Sequence, residues 1–567
     1  LELGCRDDTA LDGGNGDVPI NPMDRPVSVC LPGRTYCSGA MSYQCNAEGQ
    51  VINETQCTGA MSTCVENVGC RACVPNMTRC DPMNPQRLQT CRADGSGFDG
   101  GATCNANNGE TCNAGRCVSR CDESAVGRSY LGCDYWPTVT SNSQLDTQFE
   151  FAVVLSNPQS YAVHASITGG ALTAPREIDL TPGAIQTVVL PWVLELSQGN
   201  PSIPGCRANE NCRGNTPGRS ALRRRGAYHV HTNGPIAAYQ FNPLTFSRQS
   251  NTFFSYTNDA SLLLPQGVLT QRYTVSTWPN WTPSGAAITL GGFVTIVAVT
   301  GESTQVTVRP TAQVTPGDGV TAIPAGGVGM FSLQPGDAVQ LVSTGVGDLT
   351  GTTIESNLPV AVFVGHDCTN VPNARPACDH LEEQLFPNET WGRDYAVTSL
   401  RDRGTNNPSV IRIVSQLDGN TLTFTPPVQP SQTLRAGQML EFAATQHFRV
   451  TGTRAFLVAQ YMIGQGPAMA GVEGAGDPAM VFEVPVQQYR TQYDFYVPAT
   501  YPSNFLNVVA PTNATLMMDN QPLRGSMETL GGFTVYTLPI QAGPHRIRSG
   551  ASEQFGIKVY GIARYTS

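Results

Sequence analysis

The distribution of cysteine constrains the fold of this chain more than any other feature. Fifteen of the nineteen cysteines lie before residue 134, and twelve of these form two copies of a six-cysteine pattern. A copy of roughly 40 to 45 residues buries too little apolar surface to fold without cross-links. The cysteines therefore indicate disulfide bonds and an oxidising, extracellular compartment.

The two copies predict disulfide-rich modules over residues 30–71 and 72–120. Zinc binding is the alternative, and it requires close pairs of cysteines separated by two residues. The pair with that spacing, Cys70 and Cys73, straddles the junction between the copies, which favours disulfides. Six cysteines permit fifteen pairings, and the spacing does not select one. The cysteines are Cys30, Cys37, Cys45, Cys57, Cys64 and Cys70 in the first copy, and Cys73, Cys80, Cys91, Cys104, Cys112 and Cys117 in the second.

The cysteines outside the two copies form three predicted local pairs and one remainder. The pairs are Cys121 with Cys133, Cys206 with Cys212, and Cys368 with Cys378. Cys5 is left over, in a polar tail that covers residues 1–29. An odd cysteine in a secreted protein indicates an intermolecular disulfide, a lipid attachment or a free thiol.

From about residue 134 the sequence changes to short runs in which apolar and polar residues alternate, as at residues 294–298. Alternation with period two, rich in Val and Thr, is typical of half-buried antiparallel strands. Gly (58) and Pro (41) are frequent and only 14% of residues are charged, which favours short strands and tight turns over helices. We therefore predict an all-β fold.

The β region repeats itself four times, over residues 134–265, 266–390, 391–485 and 486–567. About six strands in each repeat suit a β-sandwich. The predicted architecture is a series of tandem antiparallel β-sandwich-like repeats, preceded by the small disulfide-rich modules. Repeats that close into a propeller-like ring are the alternative. Similar strands open the four repeats at residues 149–153, 273–275, 395–397 and 493–497.

Charge and motifs argue against several classes of function. The net charge of −10 argues against a nucleic-acid partner, because phosphate binding requires a basic face. The sequence has no run of about 18 apolar residues, so we expect no transmembrane segment. A convincing Gly-x-Ser-x-Gly motif, a reactive thiol and a phosphate-binding loop with its lysine are also missing. We therefore predict no catalytic residues and no cofactor.

The loop between Cys368 and Cys378 carries a candidate metal site. Two histidines and two carboxylates flank it, a set that suits zinc or another divalent cation. The alternative is that these side chains cap backbone amides of the loop, with Glu382 and Glu383 in solvent. The four candidate ligands are His366, Asp367, Asp379 and His380.

His229 and His231 form a second candidate metal pair, because residues two apart share one face of a strand. The alternative is that the two imidazoles pack beside Tyr228 and Tyr239.

Three segments of the second and third repeats point to a known family. Residues 358–372, 377–387 and 390–392, which include Cys-Thr-Asn-Val-Pro and Cys-Asp-His-Leu-Glu-Glu-Gln, resemble the N-terminal domain of the IgG Fc-binding proteins. The resemblance covers roughly residues 133–567 and implies an extracellular binding or matrix role. Bacterial relatives of this kind look like surface or secreted proteins, and we expect this chain to be one. The resemblance does not imply immunoglobulin binding, because a fold does not determine a ligand.

The predicted function is a non-enzymatic structural or adhesive role, outside the cell or on a bacterial cell surface. Its predicted partners are other proteins, extracellular glycans or further copies of itself, assembled into a filament, sheath or appendage. The alternative is a secreted β-sandwich hydrolase or glycan-processing enzyme, which requires paired carboxylates in a cleft. Asp379, Glu382 and Glu383 form the acidic cluster that this alternative needs.

Overall fold

The chain separates into two compact units, Leu1–Ser119 and Arg120–Ser567. A computed structural model describes residues 31–106, 109–122, 129–143, 145, 149–198, 218–248, 253–255, 257–284, 289–375, 378–400, 408–465, 476–563 and 566–567. In these residues the structure is almost entirely β. They contain no helix that is long and apolar enough to cross a bilayer.

The first unit consists of two similar modules, each a three-stranded antiparallel sheet followed by a two-stranded hairpin. A 3-10 turn, Gly59–Met61, precedes the first hairpin. The first module contains β1 (Thr35–Ser38), β2 (Met41–Cys45), β3 (Val51–Gln56), β4 (Thr63–Val65) and β5 (Gly69–Arg71). The second contains β6 (Thr78–Asp81), β7 (Asn84–Cys91), β8 (Phe98–Thr103), β9 (Glu110–Asn113) and β10 (Arg116–Ser119).

Disulfides take the place of an apolar core in both modules. Every buried apolar side chain in the described part of this unit is a half-cystine, whereas the whole of β3 is exposed. Within the described residues, both modules join their second cysteine to their fifth and their fourth to their sixth. The second module also joins its first cysteine to its third, whereas Cys30, the first cysteine of the first module, lies outside the described residues. The bonds are Cys37–Cys64 and Cys57–Cys70, then Cys80–Cys112, Cys104–Cys117 and Cys73–Cys91.

The second unit contains the four repeats. The first repeat contains β11 (Gly132–Tyr135), β12 (Phe151–Ser156), β13 (Val163–Gly169), β14 (Arg176–Leu180), β15 (Ile185–Leu190), the short helix α1 (Leu194–Ser197), β16 (Ala221–Arg223), β17 (Tyr228–Asn242), β18 (Ser247–Arg248), β19 (Phe253–Phe254) and β20 (Asp259–Leu262). The second contains β21 (Arg272–Thr274), β22 (Gly292–Ala298), β23 (Thr304–Arg309), β24 (Gly329–Leu333), β25 (Ala338–Val342), β26 (Thr353–Ser356), β27 (Val360–Thr369) and β28 (Asp379–Gln384).

The third repeat contains β29 (Gly392–Val397), β30 (Ser409–Ser415), β31 (Asn420–Thr425), β32 (Gln432–Leu434), β33 (Met439–Ala444), β34 (Phe448–Met462) and β35 (Ala479–Phe482). The fourth contains β36 (Gln492–Val497), β37 (Ser503–Pro511), β38 (Leu516–Met518), β39 (Gln521–Pro522), β40 (Ser526–Leu530), β41 (Phe533–Pro539), β42 (Gly543–Ser549) and β43 (Gly556–Ile562). Single 3-10 turns, Gln266–Val268, Asn388–Thr390 and Val486–Gln488, lie between successive repeats.

One strand path organises all four repeats. In the first and third repeats a strand of 15 residues, β17 or β34, pairs with one set of strands along its first half and with another set along its second half. In the second repeat the same path is divided into two strands, β26 and β27. In the fourth repeat it is divided into β42 and β43. Each repeat therefore presents two antiparallel layers around its own apolar side chains.

This arrangement confirms the predicted all-β, sandwich-like repeats. The propeller-like alternative is wrong, because the sheets of the described residues stay open and do not close into a ring. We propose that the four repeats have the predicted boundaries, except that one strand from the first range pairs in a sheet of the second repeat. The strand β16 precedes residue 265 yet pairs with β25, so it belongs to a sheet of the second repeat.

A tyrosine near the start of each repeat fixes the bend in this strand path. Its hydroxyl donates to a backbone carbonyl at the bend, in the pairs Tyr135 with Ile236, Tyr273 with Val360, Tyr395 with Phe456 and Tyr493 with Phe555. The prediction that residues 149–153 open the first repeat is therefore wrong. Those residues lead into β12, which is the counterpart of β22, and Tyr135 takes the opening position.

Apolar cores cross the boundaries between repeats. Val297 and Phe363 of the second repeat pack in the core of the first. Leu457 of the third repeat lies in the core of the second, and Ala396 clusters with Val509 of the fourth. The four repeats therefore share buried surface and are not independent globules.

A buried arginine joins the second repeat to the third. Arg412 is 2% exposed, and its Nη1 lies 2.9 Å from Oδ2 of Asp348 and 2.5 Å from the carbonyl oxygen of Thr277. Its guanidinium carbon also lies 4.3 Å from the ring centre of Trp278. Because a buried charge requires partners, this contact fixes the relative position of the two repeats.

Replacing Tyr395 by phenylalanine tests the tyrosine at the bend. The change leaves the N–H of Gly392 and the carbonyl of Phe456 without this hydroxyl, and a buried group left without a partner costs about 1 to 3 kcal/mol. We expect the free energy of unfolding in urea to fall by that amount. Tyr536→Phe is the control, since this half-buried tyrosine makes no hydroxyl hydrogen bond within the described residues. Equal losses in both variants would contradict the assigned role.

Candidate functional site

A buried polar segment, residues 138–143, passes between the first two repeats. Its five polar side chains are fully buried although the segment is not a strand. The backbone N–H of Thr138 donates to Gln240, and that of Ser141 donates to Gln340 of the second repeat. Long amide side chains thus replace the strand partners that this backbone lacks.

Glu382 is the centre of this junction. It is fully buried, and its carboxylate accepts hydrogen bonds from Thr140, Gln240, Asn242 and Ser261, all in the first repeat. The Ser261 hydroxyl lies at 2.8 Å and the Asn242 amide at 3.2 Å. Burial raises the pKa of Glu382, and the four donors oppose that rise.

The four candidate metal ligands around the Cys368–Cys378 disulfide are separated by their own strands. Successive residues of a strand point to opposite faces, so His366 and Asp367 diverge. Asp367 accepts hydrogen bonds from the N–H and hydroxyl of Ser143, at 2.5 and 2.6 Å. Nε2 of His380 lies 3.4 Å from the Thr140 hydroxyl. Both carboxylates and both imidazoles are buried, so we interpret them as parts of the junction.

Burial keeps both histidines uncharged. It lowers the pKa of His366 to about 3, and it lowers the pKa of His380 to about 3 with a further contribution from His366. The expectation that Glu382 lies in solvent is wrong, whereas Glu383 is half-buried. Asp379 and Glu382, two members of the acidic cluster that the hydrolase alternative requires, are fully buried.

Three aspartates recur near the start of the last strand in three repeats. They are Asp259, Asp379 and Asp477, and all three are buried. Burial raises the pKa of Asp379, and the negative charges of Asp477 and Asp259 raise it further. The three carboxyl groups therefore share one poorly solvated region.

The pH dependence of Asp379→Asn tests this cluster. Since the native pKa of Asp379 is raised above its unfolded value, folding becomes less favourable as pH rises above about 4. An asparagine keeps the hydrogen bond from the N–H of His380 and removes the charge. We expect its melting temperature to exceed that of the wild type by about 2 °C or more at pH 8, and by less at pH 5. Equal destabilisation at both pH values would contradict charge repulsion.

The two histidines of the second candidate pair lie on one face of β17. Asp134 of the neighbouring strand β11 faces both, with its Oδ1 2.8 Å from Nε2 of His229 and 2.8 Å from Nδ1 of His231. The ring of His229 stacks on the ring of Trp136, with 4.1 Å between the ring centres. The predicted alternative, packing beside Tyr228 and Tyr239, did not anticipate this contact.

A second candidate binding site is a partly open cleft of about 750 Å³ that all four repeats line. Tyr239, Phe386, Tyr489 and Tyr493 give it aromatic walls. Leu262 and Val484, 38% and 36% exposed, lie at its edge. An apolar cleft with a few polar groups is typical of ligand sites. Sequence patterns give no sign of it, because its walls come from segments as far apart in sequence as Ser129 and Lys558.

Polar groups in the cleft are held by defined partners. The Lys558 ammonium forms an ion pair with Glu483 and also contacts Gln460. The Tyr130 hydroxyl donates to the carbonyl of Asp494 at 3.2 Å and accepts from its N–H at 3.0 Å. Burial raises the pKa of Tyr130 to about 12, so this phenol stays protonated at physiological pH.

Two of the three predicted local cysteine pairs lie in the described residues. Cys121 is bonded to Cys133 where the chain enters β11, and Cys368 is bonded to Cys378 between β27 and β28. Cys206 and Cys212, the odd Cys5 and the tail over residues 1–29 lie outside the described residues.

The fold and the site define a disulfide-bonded all-β repeat protein with a cleft that its four repeats line. The family described as IgGFc binding protein matches residues 259–561, a little over half of the chain. This chain belongs to that family.

A human protein named IgGFc-binding protein is 30% identical over 187 residues, which is 33% of this chain and 3% of that relative's length. The expected bacterial origin finds no support in these matches. A solved structure, an anti-sigma factor domain-containing protein from Clostridium clariflavum, aligns over 57% of this chain and 93% of its own. Its identity is 9% and its TM-score 0.10, so this alignment carries no argument.

Proposed function

We propose that this chain is an extracellular, non-enzymatic binding protein that holds a protein ligand at the cleft between its four repeats. The cleft is the observation that carries the proposal. It combines aromatic walls, exposed apolar edges at Leu262 and Val484, and fixed charges such as Lys558. Seven disulfides in the described residues support an extracellular location because such bonds persist in oxidising compartments.

The name of the human relative supplies the first ligand to test, the Fc fragment of IgG. This chain covers only 3% of the length of that relative. The relative's name therefore indicates the class of ligand, and the individual ligand has to be identified by experiment. The shared cores and buried charges make the repeats a rigid support for the cleft. When the ligand is immobilised at a cell surface or in a matrix, binding at such a cleft gives the chain an adhesive role.

Binding to surface-immobilised Fc tests the proposal, with Val484→Glu as the first cleft variant. A carboxylate on the apolar edge opposes the burial of that edge by a ligand, so we expect affinity to fall at least about tenfold. Leu262→Glu, at the other exposed apolar residue of the cleft, is expected to act in the same direction.

Val346→Glu is the matched control, since this valine is fully exposed outside the cleft and its replacement is expected to leave affinity unchanged. A loss that is equal in all three variants contradicts the cleft as the binding surface. Failure of wild-type protein to bind Fc removes Fc as the ligand. Enzymatically deglycosylated Fc distinguishes a protein ligand, which still binds, from a glycan ligand, which does not.

We also propose that copies of the chain join through Cys5. The predicted pairs account for eighteen of the nineteen cysteines, and Cys5 is the one that they leave over. We expect a disulfide-linked dimer on a non-reducing gel, lost with reductant and in Cys5→Ser. A monomer of increased mass indicates a lipid at Cys5 instead, and an unmodified monomer in oxidising medium contradicts the proposal.

A further inference from the structure

The outer face of one sheet in the first repeat concentrates histidine and carboxylate. The sheet consists of β11, β17, β13 and β14, and its inner face packs in the apolar core. Three of the seven histidines in the chain project from the outer face. The ionisable side chains on this face are Asp134, His164, Glu177, Asp179, His229 and His231.

Strand register brings three of these groups to one point. Asp134 lies directly opposite His231 across the β11–β17 pair, and His229 is two residues away on the same face. One ligand atom from each of these residues lies within 4.8 Å of the others, and no other His, Cys, Asp or Glu group of three among the described residues meets that condition. The register of β11 against β17 therefore places the three side chains next to one another on one face.

We propose that Asp134, His229 and His231 bind zinc or another borderline divalent cation. Two imidazoles and one carboxylate are a ligand set that such cations take, with a water or a partner's side chain in the fourth position. The side chains are 31%, 30% and 60% exposed, so an ion from solution reaches them.

The geometry requires little rearrangement. Around tetrahedral zinc, bonds of roughly 2.0 to 2.2 Å place neighbouring ligand atoms about 3.3 Å apart. The two N···O distances are 2.8 Å, so a small separation of the ligand atoms admits the ion. Trp136, stacked on the His229 ring with an interplanar angle of 7°, restricts the orientation of that ligand, and such outer contacts raise metal affinity.

His164 on the same face shows what a simple ion pair looks like. Its Nδ1 lies 2.8 Å from Asp179 and its Nε2 lies 3.0 Å from Glu177. The two nitrogens lie on opposite sides of the ring, so the two carboxylates do not converge on one ion. The same residue types in the same sheet therefore serve as an internal comparison.

Zinc titration of the full chain, freed of metal with a chelator that is then removed, tests the proposal. We expect one equivalent of Zn²⁺ that is absent in Asp134→Asn and His229→Gln, each weakening this site at least about 100-fold because a ligand is lost. His164→Gln is the matched control, and it is expected to keep that equivalent. Thermal melting without metal shows whether each variant is folded.

A spectroscopic readout separates this site from adventitious binding elsewhere on the chain. Co²⁺ bound to two imidazoles and a carboxylate in a tetrahedral site gives visible d–d absorption, and added Zn²⁺ is expected to displace it. That absorption is expected in wild type and His164→Gln and not in Asp134→Asn. The proposal is overturned if wild type shows neither signal, or if folded Asp134→Asn retains them, or if His164→Gln loses them equally.

Discussion

A buried charge stands at each boundary between successive repeats, and the arrangement of the second unit depends on these three contacts. Glu382 of the second repeat is surrounded by donors of the first, Arg412 of the third bonds to the second, and Lys558 of the fourth pairs with Glu483 of the third. A buried charge with its partners adds little net stability compared with well-packed apolar residues, yet removing those partners is strongly unfavourable. Each contact therefore selects one relative position of two repeats and penalises the others.

The sequence patterns that are local predicted the fold well. Cysteine spacing predicts the duplicated modules, and alternation of apolar residues predicts strands, because both signals are contained in stretches of 5 to 45 residues. The alternation does not show how strands pair. For this reason the opening strand of the first repeat was misplaced by one strand, and the position of β16 in the sheet of the second repeat was not anticipated.

The candidate site was harder to predict, since its contacts link residues far apart in sequence. His366, Asp367, Asp379 and His380 are close in sequence, and the disulfide keeps them close in space, yet strand alternation divides them between two faces. Conversely, Asp134 is nearly 100 residues from His231, and only the register of β11 against β17 brings them together. Residues 138–143 look like an ordinary polar loop, because their amide and carboxylate partners lie in distant strands.

Lys558 has a consequence for how this protein responds to chemical reagents. It is the only lysine in the chain, and its side chain is 9% exposed in the ion pair with Glu483. Amine-directed acylation therefore finds no freely accessible side-chain target, and a lysine-specific protease has its one cleavage site inside a folded strand, β43. Modification of Lys558 therefore indicates that its ion pair with Glu483, at the boundary between the third and fourth repeats, has opened. The extent of modification measures how often this boundary opens.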